Sequence, residues 1–155
     1  MKELKETEKS LIVGLRKNGS RNILKLAHEN NIPKSTMFDT LKHLENNNII
    51  KHKSLVNFEK LGYPIKIFMF VKTNLSQKSK LRFHLKDKAN VNSLHMVDKN
   101  FDFLIEGIFK SLMEVELFVE DLEKNFLILE KQIYHVIDII SHENFLTLTE
   151  HFEEK

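Results

Sequence analysis

The stretch Ile32-Pro33-Lys34-Ser35-Thr36-Met37-Phe38-Asp39-Thr40-Leu41-Lys42-His43-Leu44-Glu45 decides the fold of the amino-terminal third of the chain. Met37, Leu41 and Leu44 are spaced four and then three residues apart, which places their side chains on one face of a helix. A proline near a helix start costs little, because the first amides have no partner within the helix. The spacing predicts a helix from Pro33 to Glu45 with one buried face.

The opposite face of this helix is polar. Ser35, Asp39 and Lys42 project away from the apolar stripe, and Thr36 and His43 flank them. Short hydroxyl, carboxylate and lysine side chains suit contacts with base edges and phosphates in a DNA major groove about 12 Å wide. We expect bulky apolar side chains to be unsuited to such contacts. For an isolated helix, a solvated surface without a binding role would be the better interpretation. The surrounding elements therefore decide whether this polar face is expected to bind DNA.

Two shorter helical patterns precede this helix. Thr7 is expected to cap the first, which ends at Asn18-Gly19, and Ser20 is expected to cap the second. The apolar positions are Leu11, Ile12 and Leu15 in the first pattern and Ile23, Leu24 and Ala27 in the second. Three short helices joined by tight turns predict a helix-turn-helix.

A basic segment, Ile49 to Val56, follows the third helix. It alternates enough to predict two short strands around Lys51 to Ser54, the wing of a winged helix-turn-helix, with cations over the phosphates. The expected partner is therefore double-stranded DNA, with a contribution from each lysine that weakens as salt rises. The predicted contact residues are Ser20, Arg21, Lys34, Ser35, Thr36, Asp39, Lys42, His43, Lys51 and Lys53.

Charge and composition agree with this interpretation. The net charge is only +2, but residues 1–60 carry 12 lysines and arginines against seven acidic residues, whereas residues 101–155 carry four against 13. A basic front and an acidic back suggest that only the front meets a polyanion. The longest apolar run, Ile65 to Val71, is broken by Lys66, and no secretory signal or cysteine is present, so we expect a cytoplasmic protein without membrane contact, metal or cofactor.

From Ile65 onward the apolar pattern changes from a helical period to a period of two. The elements alternate as strand, helix, strand, strand, helix, strand, the order of a ferredoxin-like βαββαβ domain. The predicted strands are Ile65–Val71, Val91–Val97, Phe101–Phe109 and Gln132–Ile140, with helices over residues 76–88 and around Val115–Leu122. The expected fold class is α+β, with a DNA-binding domain over residues 1–60, a ferredoxin-like dimerisation or effector domain over 61–145 and a tail over 146–155.

The predicted strands are apolar on both faces. Phe68 and Phe70 on one face alternate with Met69 and Val71 on the other, and other predicted strands also carry apolar residues on both faces. Two helices cover only one face of a four-stranded sheet, so the other face should be buried against a second copy in a two-fold dimer. The alternative is an intramolecular cover by the tail, Ser141 to Lys155.

With both halves placed, the chain resembles the leucine-responsive, or feast/famine, transcription regulators (Lrp/AsnC family). The resemblance rests on Leu26-Ala27, on Ile32 to Met37, on Leu41 to Glu45, on Leu61-Gly62 and on Phe101-Asp102-Phe103-Leu104. It implies a homodimer, often assembled into tetramers or octamers, that is controlled by a small effector such as an amino acid. It also points to Asp102 and Lys99 as effector contacts, with Lys99 standing where the family commonly has glycine.

Two other classes remain as alternatives. Sirohaem decarboxylases share this architecture and use a histidine–arginine cluster, whereas the arginines here are Arg16, Arg21 and Arg82, none of them in such a cluster. We therefore expect no enzyme activity. The second alternative is a ligand-binding or assembly protein with a vestigial DNA-binding domain.

Overall fold

The computed structural model describes residues 4–18 and 22–152 and divides the chain into two compact units, each with its own hydrophobic core. The helical unit comprises the described residues up to Ser54 together with those from Ile140 onward. The sheet unit is Leu55–Ile139. The chain thus returns to the helical unit after the sheet, a feature that the sequence-based division at residues 60 and 145 did not include.

Three helices build the helical unit: α1 (Glu6–Asn18), α2 (Ile23–Glu29) and α3 (Lys34–Asn46). Their apolar faces meet in one core, as the helical spacing predicted. The buried members of this core are Leu11, Ile12, Ile23, Leu26, Ala27, Met37 and Leu44. The close approach of α1 and α2 depends on Gly14, because a Cβ atom at this position would lie 2.4 Å from Cδ2 of Leu26.

The start of α1 differs from the prediction. The helix begins at Glu6, so Thr7 lies inside the first turn and is not the cap. Glu8 instead reaches back, and its Oε2 accepts a hydrogen bond from the backbone N–H of Lys5 at 2.7 Å. A carboxylate is stabilised there because the first turn of a helix presents unpaired N–H groups and the positive end of the helix dipole.

α2 also differs, in its buried face and in its cap. Its cap is Asn22, whose side chain accepts a hydrogen bond from the backbone N–H of Lys25 at 3.0 Å. Ser20, the predicted cap, lies outside the described residues. Leu24 was predicted to be buried but is 50% exposed, while Leu26 is buried, because the core-facing positions lie three and four residues after the first helical residue.

The C-terminal segment, residues 140–152, packs on the helical unit. Arg16 on α1 pairs with the carboxylate of Glu143 at 2.5 Å and donates a second hydrogen bond to its backbone oxygen at 3.0 Å. Leu146 and Phe152 pack against the helical core. The alternative in which this segment covers the sheet is not borne out, because the segment belongs to the helical unit, where Leu146 and Phe152 pack against the core.

Residues 51–57 form a coil, so the predicted wing strands around Lys51 to Ser54 are wrong. The preceding residues stay tied to α3, since the backbone N–H groups of Ile49 and Ile50 both donate to the carbonyl of Leu44. A hairpin needs a ladder of hydrogen bonds between its two strands. Within this described segment no such ladder joins the two halves.

The sheet unit has the predicted βαββαβ order. Its elements are β1 (Ile65–Thr73), α4 (Lys78–Lys86), β2 (Val91–Met96), β3 (Phe103–Phe109), α5 (Leu112–Asn125) and β4 (Ile128–His135). The strands form one sheet in the order β2-β3-β1-β4, and all neighbours are antiparallel. This confirms the α+β class, a helix-turn-helix unit followed by a ferredoxin-like sheet.

The last strand lies earlier than the predicted Gln132 to Ile140. β4 pairs with β1 in an antiparallel register that places Ile133 opposite Met69. The pairing ends where the backbone N–H of Val136 donates to the carbonyl of Lys66, one residue from the start of β1. Beyond this point β1 offers no partner, so the residues that follow leave the sheet despite their high strand propensity.

One face of the sheet forms the core with α4 and α5. The inward residues of β1 are Ile67, Met69 and Val71, which share one face as the period of two predicted. They pack in a core with Leu81, Leu85, Phe103, Ile105, Phe109, Val115, Phe118, Val119 and Leu122.

The other face, called here the open face, carries Phe68 and Phe70, both half-buried. The ring of Phe70 lies 5.3 Å from that of Phe101 and 6.2 Å from that of Tyr134, measured between ring centroids. The open face is not apolar throughout, because Lys66 and Glu106 form an ion pair on it. The side chains of Ser93 and Asn92 donate further hydrogen bonds to the carboxylate of Glu106. The open face therefore combines an aromatic cluster with a satisfied polar network.

Candidate nucleic-acid interface

The orientation of α3 is fixed by its buried side. Met37 and Leu44 are fully buried and Leu41 is half-buried, as expected from their spacing. Pro33 precedes the first helical residue with φ −55° and ψ 138°, an extended conformation that turns the chain into the helix. This packing holds the opposite side of α3 away from the core.

The structure brings Ser35, Asp39 and Lys42 together on that outward side, and all three are exposed. They are separated by four and three residues, so their Cβ atoms lie about 5–6 Å apart along the helix surface. A hydroxyl, a carboxylate and an ammonium group on one ridge can donate and accept hydrogen bonds at base edges and phosphates.

Thr36 and His43 lie to one side of this ridge and face the start of α1. The Nε2 atom of His43 is 3.6 Å from the Oε1 atom of Glu8, and its ring contacts the side-chain amide of Asn47. Thr36, Asp39 and His43 line a cavity of about 350 Å³, whose other lining residues are Lys5, Thr7, Glu8 and Thr40. These two predicted contact residues therefore border the ridge rather than form it.

Cations flank the ridge at two places. Lys34 is exposed in the first turn of α3, and Lys51 and Lys53 are exposed in the coil after it. His52, between the two lysines, is held to the last turns of α3 because its Nε2 atom lies 2.6 Å from Oε1 of Glu45. The contact keeps the basic coil near α3 even though no wing strands form.

Ser20 and Arg21, the other two predicted contact residues, lie outside the described residues, so their place relative to α3 stays a prediction. The remaining eight predicted positions are all exposed on the helical unit.

Sequence reasoning missed Phe38. Its side chain is 44% exposed on the outward side of α3, four residues from Lys34 and four from Lys42. The expectation that bulky apolar side chains do not suit a groove contact gave Phe38 no role, although the major groove also offers an apolar methyl group to such a side chain. The signal that could have found it is its position, because a residue next to Met37 in sequence is turned by about 100° away from the buried stripe.

The two residues implied as effector contacts, Lys99 and Asp102, differ in exposure and in hydrogen bonding. Lys99 is exposed in the turn before β3 and has φ 67°, a left-handed conformation that favours glycine. Asp102 is mostly buried, accepts a hydrogen bond from the backbone N–H of Thr73 at 2.9 Å and pairs with Nζ of Lys78 at 2.6 Å. Burial opposes ionisation of Asp102, but the bonds from Lys78 and Thr73 outweigh it and hold its pKa below the usual value.

In residues 4–18 and 22–152, histidine and carboxylate side chains do not gather in groups of three or more that could hold a metal ion. None of the helices in these ranges combines the length and the apolar character needed to cross a lipid bilayer.

Comparison by sequence matches no family model and no curated protein. Comparison by structure is informative. A transcriptional regulator of Neisseria meningitidis, solved as a complex with L-Met, is 20% identical and superposes with a TM-score of 0.82 over 90% of this chain and 93% of its own. LrpC of B. subtilis is 16% identical, with a TM-score of 0.80 over 91% of this chain and 99% of its own.

An AsnC family transcriptional regulator from Agrobacterium tumefaciens is 10% identical and superposes with a TM-score of 0.79 over 90% of this chain and 94% of its own. The TM-scores establish a shared fold, and identities of 20% or less limit the conclusion to the fold. The coverage shows that the likeness extends over both units. The chain has the two-unit fold of the Lrp/AsnC transcription regulators, as the residues of its sequence had suggested.

Proposed function

We propose that this protein is a DNA-binding transcription regulator. The observation that carries the proposal is the outward side of α3, where Ser35, Asp39 and Lys42 are exposed together on a helix-turn-helix unit. The fold is shared with transcription regulators of three organisms, which supports the assignment. A regulator of this kind acts in the cytoplasm, where we place the protein.

In the proposed complex α3 enters the major groove. Asp39 accepts a hydrogen bond from the amino group of cytosine, since a carboxylate facing a phosphate would be repelled. Ser35 contacts base edges or phosphates beside it. Lys34, Lys51 and Lys53 neutralise phosphates on either side. Ser20 and Arg21, which precede α2 in the sequence, are expected to add further phosphate contacts. Thr36 and His43 close one edge of the contact surface.

The active species in this proposal is a homodimer that forms through the open face of the sheet. The aromatic cluster around Phe70 supplies the apolar surface, and the Lys66–Glu106 pair on the same face already has its partners within the chain. Two copies of α3 then bind half-sites one or more helical turns apart, so that the second contact is favoured by its high effective concentration. Assembly into tetramers or octamers would bring further copies of α3 to the DNA in the same way.

A small effector, such as an amino acid, belongs to the same proposal, because one structure with this fold is a complex with L-Met. In this chain Lys99 is the residue that would meet an anionic group of the effector. Asp102 would hold the turn in place, because its carboxylate is already bonded to Lys78 and Thr73.

The experiment that tests the DNA-binding proposal is selection of genomic fragments by the purified protein, followed by affinity measurements at several salt concentrations. We expect a preferred site whose affinity falls steeply with salt, and Lys42→Ala should weaken binding to it by about tenfold, the effect of losing one charged hydrogen bond. Lys80→Ala, which removes an exposed lysine on α4 of the sheet unit, is the matched control and should leave affinity unchanged.

The competing functions give different results. If no fragment is enriched at low salt while the protein remains a folded oligomer, the ligand-binding or assembly alternative is favoured. Haem-like absorbance after incubation with a tetrapyrrole would revive the enzyme alternative.

A further inference from the structure

Phe38 is an exposed aromatic residue of α3 to which the proposed contacts give no role. Its ring is 44% exposed, although an aromatic side chain gains free energy when it is buried. Single exposed apolar residues are ordinary on protein surfaces, so exposure alone carries no argument. The argument for a role rests on the position of Phe38 instead.

That position is on the proposed reading surface. Lys34 and Lys42 are each four residues from Phe38, and Ser35 is three residues from it, so all three neighbour it on the helix surface. Leu41, the other residue three positions away, is half-buried against the core. On its outward side, Phe38 is therefore flanked by polar and cationic groups that suit nucleic acid. The buried stripe of α3, Met37 and Leu44, points elsewhere and is complete without it.

The major groove of DNA offers one apolar group to such a side chain. Thymine exposes its C5 methyl there, and the other base edges present hydrogen-bond donors and acceptors. A phenyl ring on a recognition helix that lies between a serine and two lysines fits this methyl group, because the phosphate contacts of the lysines would press the ring against the base edges.

We propose that Phe38 is a specificity-determining residue that recognises thymine methyl groups in the DNA site. The inference rests on the proposed function, since it requires α3 to lie in the major groove. It assigns the protein a preference for A·T pairs at the one or two positions that face Phe38.

The test uses duplexes that carry the selected site with thymine replaced by deoxyuracil, one position at a time. Uracil keeps the hydrogen-bonding groups of thymine and lacks only the methyl group. We expect the wild-type protein to lose about fourfold in affinity at one or two positions, which is the value of burying one methyl group. Phe38→Ala should bind the thymine and uracil duplexes equally at those positions, and Phe38→Leu should keep part of the discrimination.

Phe83→Ala is the matched control, because Phe83 is also an exposed phenylalanine on a helix, 66% exposed on α4 of the sheet unit. It should discriminate as the wild type does. Selection of a DNA site in which no thymine is sensitive to uracil would overturn the role of Phe38 and leave the DNA-binding proposal intact. Absence of any selected site would overturn both.

Two further results would count against the inference. One is the same sensitivity to uracil in the wild type and in Phe38→Ala, which would assign the methyl contact to another residue. The other is a change in oligomeric mass for Phe38→Ala, measured by sedimentation, because the ring would then be part of an interface between copies. The wild-type measurement does not depend on a variant, so the proposal remains testable if Phe38→Ala fails to fold.

Discussion

Asp102 illustrates how one residue can serve the fold in a place where the family pattern suggests a ligand contact. Its carboxylate joins the end of β1, through the backbone N–H of Thr73, to the first turn of α4, through Lys78. Its own backbone also pairs with β1, because its N–H donates to the carbonyl of Val71. These bonds make Asp102 a structural residue of the sheet unit.

We expect Asp102→Asn to lower the free energy of unfolding by about 1–2 kcal/mol near neutral pH, the cost of weakening a hydrogen-bonded charge pair. The folded-state pKa of Asp102 lies below the unfolded value of 3.8, so its stabilising effect is complete well above this value and is lost as the pH falls through the folded-state pKa. The difference between variant and wild type should therefore shrink below about pH 4, which denaturant titrations at several pH values would measure.

Asp98→Asn is the control for this substitution, because Asp98 is an exposed carboxylate close to the same turn. It should change the stability by less than about 0.5 kcal/mol. An Asp102→Asn difference that persists unchanged under acid conditions would contradict the electrostatic account.

Among the elements, the C-terminal segment, residues 140–152, is the least expected. It is anchored by Arg16, which also donates from Nε to the carbonyl of Phe145 at 2.9 Å. Glu143 and Leu146 have φ angles of 56° and 61°, a left-handed conformation that costs an L residue about 1 kcal/mol. The bonds to Arg16 and the burial of Leu146 and Phe152 must offset this cost.

Leu146→Ala should therefore lower the stability of the helical unit by about 1–2 kcal/mol, the value expected for truncating a half-buried leucine. Hydrogen exchange would detect it as faster exchange of the α1 amides. Ile140→Ala removes a side chain that is 96% exposed and should leave these amides unchanged. Equal protection of α1 in Leu146→Ala and wild type would show that the segment does not contribute to the helical core.

At the scale of the whole molecule, the open face is the feature that the proposed function depends on. Phe70 lies at the centre of its aromatic cluster, within 5.3 Å of the ring of Phe101. We expect Phe70→Glu to yield a monomer in analytical ultracentrifugation, because a dimer would have to bury an unpaired charge. Affinity for a two-half-site DNA should then fall by about 100-fold or more, since the second contact loses its effective concentration.

Phe83→Glu places the same charge on α4 and should preserve both the mass and the affinity. Circular dichroism would establish that both variants keep their secondary structure. A Phe70→Glu protein that remains a dimer would move the dimer interface away from the open face.

The order of elements, the α+β class and most of the core follow from the sequence alone. Helical spacing identified Met37 and Leu44 as the buried side of α3, and a period of two placed Ile67, Met69 and Val71 on one face of β1 without deciding which face is the core. These patterns are local, because a residue three or four positions away on a helix, or two positions away on a strand, faces the same side whatever surrounds it. The exposed polar side of α3 follows from the same rule.

Only the tertiary structure decided where strands end and which side chains take structural roles. The segment after His135 has high strand propensity but leaves the sheet because β1 has no residues left to pair with it. The basic coil around Lys51 forms no strands, although its sequence alternates. The structural role of Asp102 depends on Thr73 and Lys78, which are distant from it in the sequence and bond to its carboxylate. Pairing and burial join residues far apart in the chain, and a local pattern carries no information about such partners.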